Sequence, residues 1–275
     1  MAIDLNALKS TQSWAIPVPD KKEIPVYFKS EYDVYFKPDD APYLLYNPRQ
    51  DQFKNVSDEK LLCLTTDRLV VLSTNHKPFA CRFEDVVCSR YEELLLAFSI
   101  TISTETDEVR VEYNSACSDL FDPLLNKLRI RGTTVKDGRL EWQQMSKLAQ
   151  EDLKFANYAR QILRDSGKLI DSQYQAEIIY GHKIMAETSL LILTETELCL
   201  VKNERKDWID EPVYGGIFSF ADRKNVIGAE IVSTAEPGLL QMIITLKGNY
   251  QWKIAYSVDH RDHLSKMIDL IAAGK

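Results

Sequence analysis

Cysteine and histidine are scarce in this sequence. Its 275 residues include five cysteines and four histidines, and the cysteines show no C-x-x-C spacing. An odd number of cysteines without such spacing argues against a disulfide framework and against a thiolate zinc site. We therefore expect reduced, buried thiols and a cytoplasmic protein.

Long apolar runs and a basic leader are also missing. The longest apolar run, Leu94 to Ile102, is broken by serine and threonine and falls far short of the roughly 20 residues that a membrane-spanning helix needs. Residues Met1 to Leu8 contain no basic stretch followed by an apolar block, so we expect no secretory signal. The sequence thus predicts neither a transmembrane nor a secreted protein.

Positive charge is in deficit. The formal net charge is −7, which repels nucleic-acid phosphate and anionic membranes unless a local basic patch overrides it. We therefore expect no nucleic-acid partner. Because apolar residues make up 45% of the chain, we expect it to be folded throughout.

Motifs of catalysis and cofactor binding are absent as well. The sequence has no Walker motif, no glycine-rich dinucleotide loop and no nucleophile elbow. His260 and His263 form a close pair, but a metal site needs a third and usually a fourth ligand. Helix capping and the helix dipole already explain Asp259 and Asp262 beside them. We expect no enzymatic activity, no bound metal and no cofactor.

A stretch of apolar residues around a short polar break occurs twice. The first copy, Leu61 to Leu72, reads LLCLTTDRLVVL, and the second, Leu190 to Val201, reads LLILTETELCLV. Two apolar runs around a short polar break are typical of neighbouring strands joined by a tight turn. Each copy therefore predicts a β-hairpin.

The repeat continues beyond this hairpin. Leu95–Ile102 matches Leu239–Leu246, and the alternating strand Val109–Tyr113 matches Trp252–Tyr256. Order and spacing agree over roughly 75 residues, for which chance is a poor explanation. The sequence therefore predicts one fold that is present twice.

Each copy is predicted to contain short strands followed by a helix. In the first copy the strands are expected at 43–46, 60–65, 68–73, 78–83, 85–90, 94–103 and 109–113. Asp122 and Pro123 then begin a helix that Gly132 ends. In the second copy the closing helix is expected from Asp259 to about Ala272.

Two segments lie outside the copies. Leu140 to Arg164 carries apolar residues at helical spacing and predicts one helix or a pair of helices. Before residue 42 the sequence is rich in proline and contains two β-prone pieces, Pro25–Phe28 and Tyr32–Phe36, which favour an extended arm. The arm either docks on its own domain or serves as a peptide ligand for a partner.

The order of seven strands and one helix, with the early motif Leu-Leu-x-Leu-Thr-x-x-x-Leu, resembles the pleckstrin-homology-like (PH-like) fold, in particular bacterial PH-like domains. The resemblance implies an α+β protein with two PH-like domains. Each would be a seven-stranded, strongly bent antiparallel sheet or partly open barrel, capped by a C-terminal helix. The expected segments are an extended arm at 1–41, domain 1 at 42–132, a helical connector at 133–168 and domain 2 at 169–275.

Proteins of this superfold bind peptides, partner domains or phosphoinositide headgroups, so the resemblance implies a non-enzymatic binding or scaffold protein. We expect a protein or peptide partner, and the oligomeric state stays open. The alternative is recognition of inositol phosphate or anionic membrane headgroups by basic rim loops of domain 2. The residues expected to bind there are His182, Lys183, Lys202, Arg205, Lys206, Trp208 and Lys247.

Acidic neighbours count against this alternative. The insertion that carries three of the basic rim residues also contains Glu204, Asp207, Asp210 and Glu211. In the first copy the corresponding basic residues are Arg49, Lys54, His76 and Lys77. Those are accompanied by Glu105, Asp107 and Glu108. A solvated, mixed-charge surface is therefore the competing interpretation of both rims.

Overall fold

The chain folds as an α+β protein with mostly antiparallel sheets. The residues that the computed structural model describes are 14–50, 57–129, 138–203 and 214–274. Contacts divide the chain into unit 1, Met1–Val86 with Glu93–Leu128, and unit 2, Val87–Glu92 with Arg129–Lys275. Within the described ranges no sheet closes into a barrel. No helix in these ranges is long and apolar enough to cross a membrane.

Strands occur in the regions predicted for the first copy, but the strand predicted at 85–90 spans Cys88–Leu94, because Phe83–Asp85 forms a 3-10 helix. Strands β1 to β8 span Ile16–Pro17, Tyr43–Asn47, Lys60–Leu64, Arg68–Ser73, Phe79–Arg82, Cys88–Leu94, Ala97–Ser103 and Glu108–Asn114. In unit 1, β1 to β5 pair in chain order as one sheet, and β7 pairs with β8. The strand predicted at 94–103 begins only at Ala97, because Leu95 and Leu96 form the turn between β6 and β7.

A helix replaces the extended arm over part of residues 1–41. The expectation that the β-prone pieces Pro25–Phe28 and Tyr32–Phe36 belong to an extended arm is wrong, because Val26–Tyr35 forms helix α1. Phe28, Tyr32 and Phe36 are four residues apart and are all buried in the core of unit 1. Helical spacing therefore buries one aromatic face, and this packing overrides the β propensity of the individual residues.

The core of unit 1 lies between helix α1 and one face of the sheet. Leu61 and Cys63 of β3, with Val70 and Leu72 of β4, belong to the same buried cluster as the helix. Side chains alternate between the two faces of a strand, so Lys60 and Ser73 belong to the other face. The predicted helix after β8 is confirmed as α2, Asp122–Leu128, whereas its expected end at Gly132 lies outside the described residues.

Two helices precede the strands of unit 2. They are α3, Gly138–Glu151, and α4, Leu153–Asp165. Asp152 between them has extended backbone angles, and its carboxylate accepts a hydrogen bond from the Phe155 N–H at 3.1 Å. This N-cap ends one helix and begins the next, so the segment is a pair of helices, one of the two forms that the sequence predicts.

Unit 2 repeats the order of elements found from β2 to α2. Strands β9 to β17 span Leu169–Gln175, Ile178–Tyr180, Lys183–Ala186, Ser189–Thr194, Glu197–Asn203, Gly216–Asp222, Val226–Ser233, Leu239–Leu246 and Gln251–Ser257. Helix α5, Arg261–Ala273, follows and buries Leu264, Met267 and Ile271 in the core of this unit. The additional hairpin, β10 with β11, lies between β9 and β12.

Matching hydrogen bonds recur in the two units. The Thr65 hydroxyl accepts from the Arg68 N–H at 3.1 Å, and the Thr194 hydroxyl accepts from the Glu197 N–H at 3.1 Å. These bonds lie in the polar break of the repeated hairpin, where the threonine side chain stabilises a tight turn. The hairpins predicted at Leu61–Leu72 and Leu190–Val201 are confirmed.

The match between β7 and β16 differs from the sequence alignment by two residues. Tyr113 lies opposite Phe98, and Tyr256 lies opposite Leu240. The carbonyl of Leu96 accepts from the Ser115 N–H at 3.0 Å, as that of Gly238 accepts from the Val258 N–H at 3.0 Å. Leu96 is therefore equivalent to Gly238, and the predicted pairing of Leu95 with Leu239 is wrong by two positions.

Candidate ligand-binding cleft and exposed leucine turn

Unit 1 contains a cleft of about 440 Å³ on the sheet face away from helix α1. Its volume lies within the range of small-molecule sites. Val71, Phe79 and Val109 form an apolar wall. The charged residues that line the cleft are Asp58, Lys60, His76, Lys77, Asp107, Glu108, Arg110 and Glu112. We call this space the Lys60 cleft.

Asp58 is held in one orientation by three donors from β4 and the residues after it. Its carboxylate accepts from the Ser73 hydroxyl at 3.2 Å and from the Asn75 amide, and it contacts Nδ1 of His76. Burial raises the pKa of Asp58, but the hydrogen bonds from Asn75 and His76 outweigh it, so the pKa lies below its ordinary value. Asp58 is therefore an ionised acceptor whose donors are already supplied by the protein.

Lys60 is the exceptional cation of this cleft. Lys60 as a whole residue is only 7% exposed, and it lies opposite Ser73 in the β3–β4 pair. Among the described residues, its ammonium has no hydrogen bond and no ion pair. Burial lowers its pKa, while the more distant carboxylates of Glu112 and Asp58 act in the opposite direction. The Lys60 ammonium therefore lines the cleft without an acceptor among the described residues.

The other cations of the cleft have acceptors. The Lys77 ammonium lies 3.2 Å from the Asp107 carboxylate, and Nε of Arg110 donates to Glu112 at 3.1 Å. These pairs neutralise their own charges at the cleft wall. They leave Lys60 as the position at which an added acceptor would have the largest effect.

A second cleft of about 410 Å³ adjoins the first in unit 1. Ser57 and Asp58 line both clefts. Here the hydroxyl of Tyr27 contacts the Glu59 carboxylate and donates to the Tyr46 hydroxyl at 3.4 Å. Burial raises the pKa of Tyr27 well above its ordinary value and that of Tyr46 to about 12, so both phenols stay protonated and act as structural hydrogen-bond groups at neutral pH.

A turn of exposed leucines connects β6 to β7. Leu94, Leu95 and Leu96 are 38%, 63% and 63% exposed, and Leu95 has a positive φ of 47°. Glycine and asparagine are the residues that adopt such backbone angles readily, and turns favour polar residues. We call Leu94–Leu96 the leucine turn. The strained backbone of Leu95 and the exposed apolar side chains are both unusual for a turn.

The equivalent turn of unit 2 has ordinary turn residues. By the register above, Pro237 and Gly238 occupy the positions of Leu95 and Leu96. Gly238 has a φ of +80° and no atom within 4 Å of an added Cβ. The positive φ therefore falls on Leu95 in unit 1 and on Gly238, at the position of Leu96, in unit 2. Only the turn of unit 2 has glycine at its left-handed position.

The basic residues predicted to bind a ligand in domain 2 do not form one cluster where the structure describes them. Lys183 pairs with Glu236 at 3.0 Å, in the turn between β15 and β16. Lys247 follows the far end of β16, a strand whose eight residues span roughly 25 Å. His182 is exposed in the β10–β11 turn.

Lys202 has protein acceptors of its own. Its ammonium lies 3.4 Å from the Glu187 carboxylate and 3.3 Å from the carbonyl oxygen of Lys253. The remaining residues of the predicted set, Arg205, Lys206 and Trp208, lie outside the described residues. The binding role of this set therefore stays a prediction.

The histidine pair has partners within the protein. Nε2 of His263 lies 2.9 Å from the Asp171 carboxylate, and Nδ1 of His260 lies 3.2 Å from the Gln173 amide nitrogen. Burial lowers the pKa of His260, which favours its neutral form. In the part of the chain that the structure describes, no three metal-ligating side chains come together.

Comparison with known proteins gives no family for this chain. No protein-family model matches it, and no curated protein matches it. Its function therefore has to be argued from the Lys60 cleft and the leucine turn.

Sequence reasoning missed both features. The strand that begins Lys60-Leu61-Leu62 looks like any strand with a polar first residue, and Lys60 becomes unusual only when its missing acceptor is known. One signal was available, since Lys60 corresponds to Ser189 in the second copy. The leucine turn was not predicted, because a run of leucines in the sequence indicates a buried strand.

Proposed function

We propose that this chain is a non-enzymatic binding or scaffold protein with two PH-like domains, and that it contacts a protein or peptide partner through the leucine turn. The repeated order of elements supports the PH-like assignment. Strands β2–β5, β6–β8 and helix α2 are followed later by β9 with β12–β14, then β15–β17 and helix α5. The same turn hydrogen bonds accompany both series.

The observation that carries the binding proposal is the leucine turn. Leu95 retains a left-handed backbone conformation, which costs a non-glycine residue roughly 1–2 kcal/mol. Contiguous exposed leucines also leave apolar area in water that a partner can cover at about 25 cal/mol per Å². Local strain that a better turn residue would relieve is typical of functional sites.

Charge near the turn favours a protein over an anionic membrane. Glu92 and Glu93 directly precede the leucines, and the chain carries a net charge of −7. Anionic lipid surfaces attract basic segments and repel acidic ones. An apolar patch of a protein, or the apolar face of a peptide, has no such penalty.

Affinity capture with matched variants tests this proposal. The variant carries Leu95→Asn and Leu96→Ser, which restore turn chemistry, and the control carries Val34→Lys on the exposed surface of helix α1. We expect wild type and Val34→Lys to retain the same partner from a native lysate, and the turn variant to lose it by about tenfold or more, equivalent to about 1.4 kcal/mol. Equal capture by all three proteins, or no partner for any of them, would contradict the proposal.

Recognition of anionic headgroups is the alternative function, and sedimentation with vesicles distinguishes it from binding to a protein or peptide. Vesicles containing phosphatidylserine, with phosphatidylcholine vesicles as control, are mixed with the wild-type chain at low and high salt. Binding to the anionic vesicles alone, weakened by salt, would favour the basic loops of unit 2. We expect neither vesicle to sediment the chain.

A further inference from the structure

We infer that the Lys60 cleft is a binding site for the carboxylate of a small organic acid or of a peptide C-terminus, with the Lys60 ammonium as its direct contact. This goes beyond the proposed function, because the leucine turn lies at the opposite end of β7 from the β7–β8 turn that borders the cleft. The two surfaces can therefore be tested separately.

The first argument is the missing acceptor. Only 7% of Lys60 is exposed, and its side chain lines the cleft without a hydrogen bond or ion pair to any described residue. A buried charge is retained at low cost only when it is paired. A ligand carboxylate supplies the pair and forms a charge-assisted hydrogen bond.

The second argument is the equivalent position in unit 2. Lys60 faces Ser73 across β3 and β4, and Ser189 faces Lys202 across β12 and β13. The same cross-strand pair is thus formed by lysine and serine in exchanged positions. In unit 2 the lysine has two protein acceptors, whereas Lys60 has an open cleft instead.

The third argument concerns the kind of acid. The carboxylates of Asp58, Asp107, Glu108 and Glu112 line the cleft, and they would repel a dianion such as a phosphate monoester more than a singly charged carboxylate. The apolar wall of Val71, Phe79 and Val109 suits an aliphatic or aromatic body. The expected ligand is therefore a monocarboxylate with an apolar substituent.

Calorimetric titration of the full chain with two probes tests the inference. The probes are 3-phenylpropionate and the peptide acetyl-Gly-Gly-Phe with a free C-terminus, and the controls are their amides. We expect saturable binding of at least one acid, about tenfold weaker binding of its amide, and a similar loss in Lys60→Met. Lys77→Met, which removes another lysine of the same cleft, should change affinity by less than about threefold.

The relative affinities of the cleft for the two acids identify the source of the carboxylate. Tighter binding of the peptide assigns the cleft to protein C-termini, and tighter binding of 3-phenylpropionate assigns it to free organic acids. No saturable binding of either acid up to about 10 mM, a concentration near the weakest measurable affinities, would overturn the inference. Equal binding by wild type and Lys60→Met would also overturn it.

A measurement on the wild-type chain covers the case in which Lys60→Met fails to fold. Lysines are acetylated with a succinimidyl ester, and each modified site is quantified by mass spectrometry. We expect the bound acid to slow acetylation of Lys60 and to leave the exposed Lys266 unchanged. Unchanged acetylation of Lys60 at saturating acid would refute the contact. The Leu95→Asn, Leu96→Ser variant should bind the probes like wild type, which separates this result from that of the proposed function.

Discussion

Arg129 and Lys60 are both buried cations, but their surroundings differ. The Arg129 guanidinium donates to Glu197 at 3.0 Å, to the Ser166 hydroxyl at 2.8 Å and to the Ile162 carbonyl at 3.1 Å. It also lies 4.5 Å from the ring centroid of Phe220. Its charge is therefore paired within unit 2 and holds the end of helix α4 against β13, a structural role that Lys60 does not share.

Removal of the Arg129 side chain should strongly destabilise unit 2. The Glu197 side chain is only 3% exposed, so Arg129→Ala leaves a buried carboxylate without its partner, which typically costs about 3–5 kcal/mol. Lys183→Ala, which breaks the exposed pair with Glu236, should cost less than about 1 kcal/mol. Urea unfolding followed by circular dichroism measures both values. Similar, small losses in both variants would contradict the assigned role of Arg129.

The hydrogen-bond and ion-pair partners of individual side chains were the hardest feature to predict from the sequence. Lys183 and Lys202 looked like free basic residues, but their acceptors Glu236 and Glu187 are 53 and 15 positions away in the chain. Such partners depend on which strands become neighbours, and residue type carries no information about this. The same limitation applies to Lys60, whose distinguishing property is the absence of a partner among the described residues.

At the scale of elements, hydropathy predicted most strands correctly. The hairpin strands β3, β4, β12 and β13 are almost entirely buried, and continuous apolar runs between polar breaks mark such strands. Helix α1 was mispredicted since its aromatic residues have high β propensity. Its burial against the sheet depends on the tertiary fold, so a local pattern does not predict it.

The two equivalent turns should respond to mutation in opposite directions. Gly238→Ala places a side chain at a φ of +80° and should destabilise the chain by about 1 kcal/mol. Leu95→Asn replaces a strained leucine by a residue that tolerates positive φ and should stabilise it by up to about 1 kcal/mol. Thermal unfolding of both variants measures these changes.

A glycine with an ordinary backbone conformation provides the control for these turns. Gly228 lies in β15, and no atom is within 4 Å of an added Cβ, so Gly228→Ala should change stability by less than about 1 kcal/mol. A loss of stability in Leu95→Asn comparable to that in Gly238→Ala would show that Leu95 serves the fold and not a partner.

At the scale of the whole molecule, the repeat was the most reliable prediction. The element order of unit 2 follows that of β2 to α2, and paired turns make the same hydrogen bonds. The predicted match of Leu95–Ile102 with Leu239–Leu246 is shifted by two residues, and this shift begins at the leucine turn, where the copies differ in chemistry.

Site-specific photocrosslinking tests the leucine turn most directly. The photoreactive residue p-benzoylphenylalanine replaces Leu95 in one protein and Val34, another exposed apolar residue of unit 1, in the control. After irradiation in native lysate, we predict a discrete, protease-sensitive protein adduct from position 95 and none from position 34. The same adducts from both positions, or no protein adduct from position 95, would contradict the account.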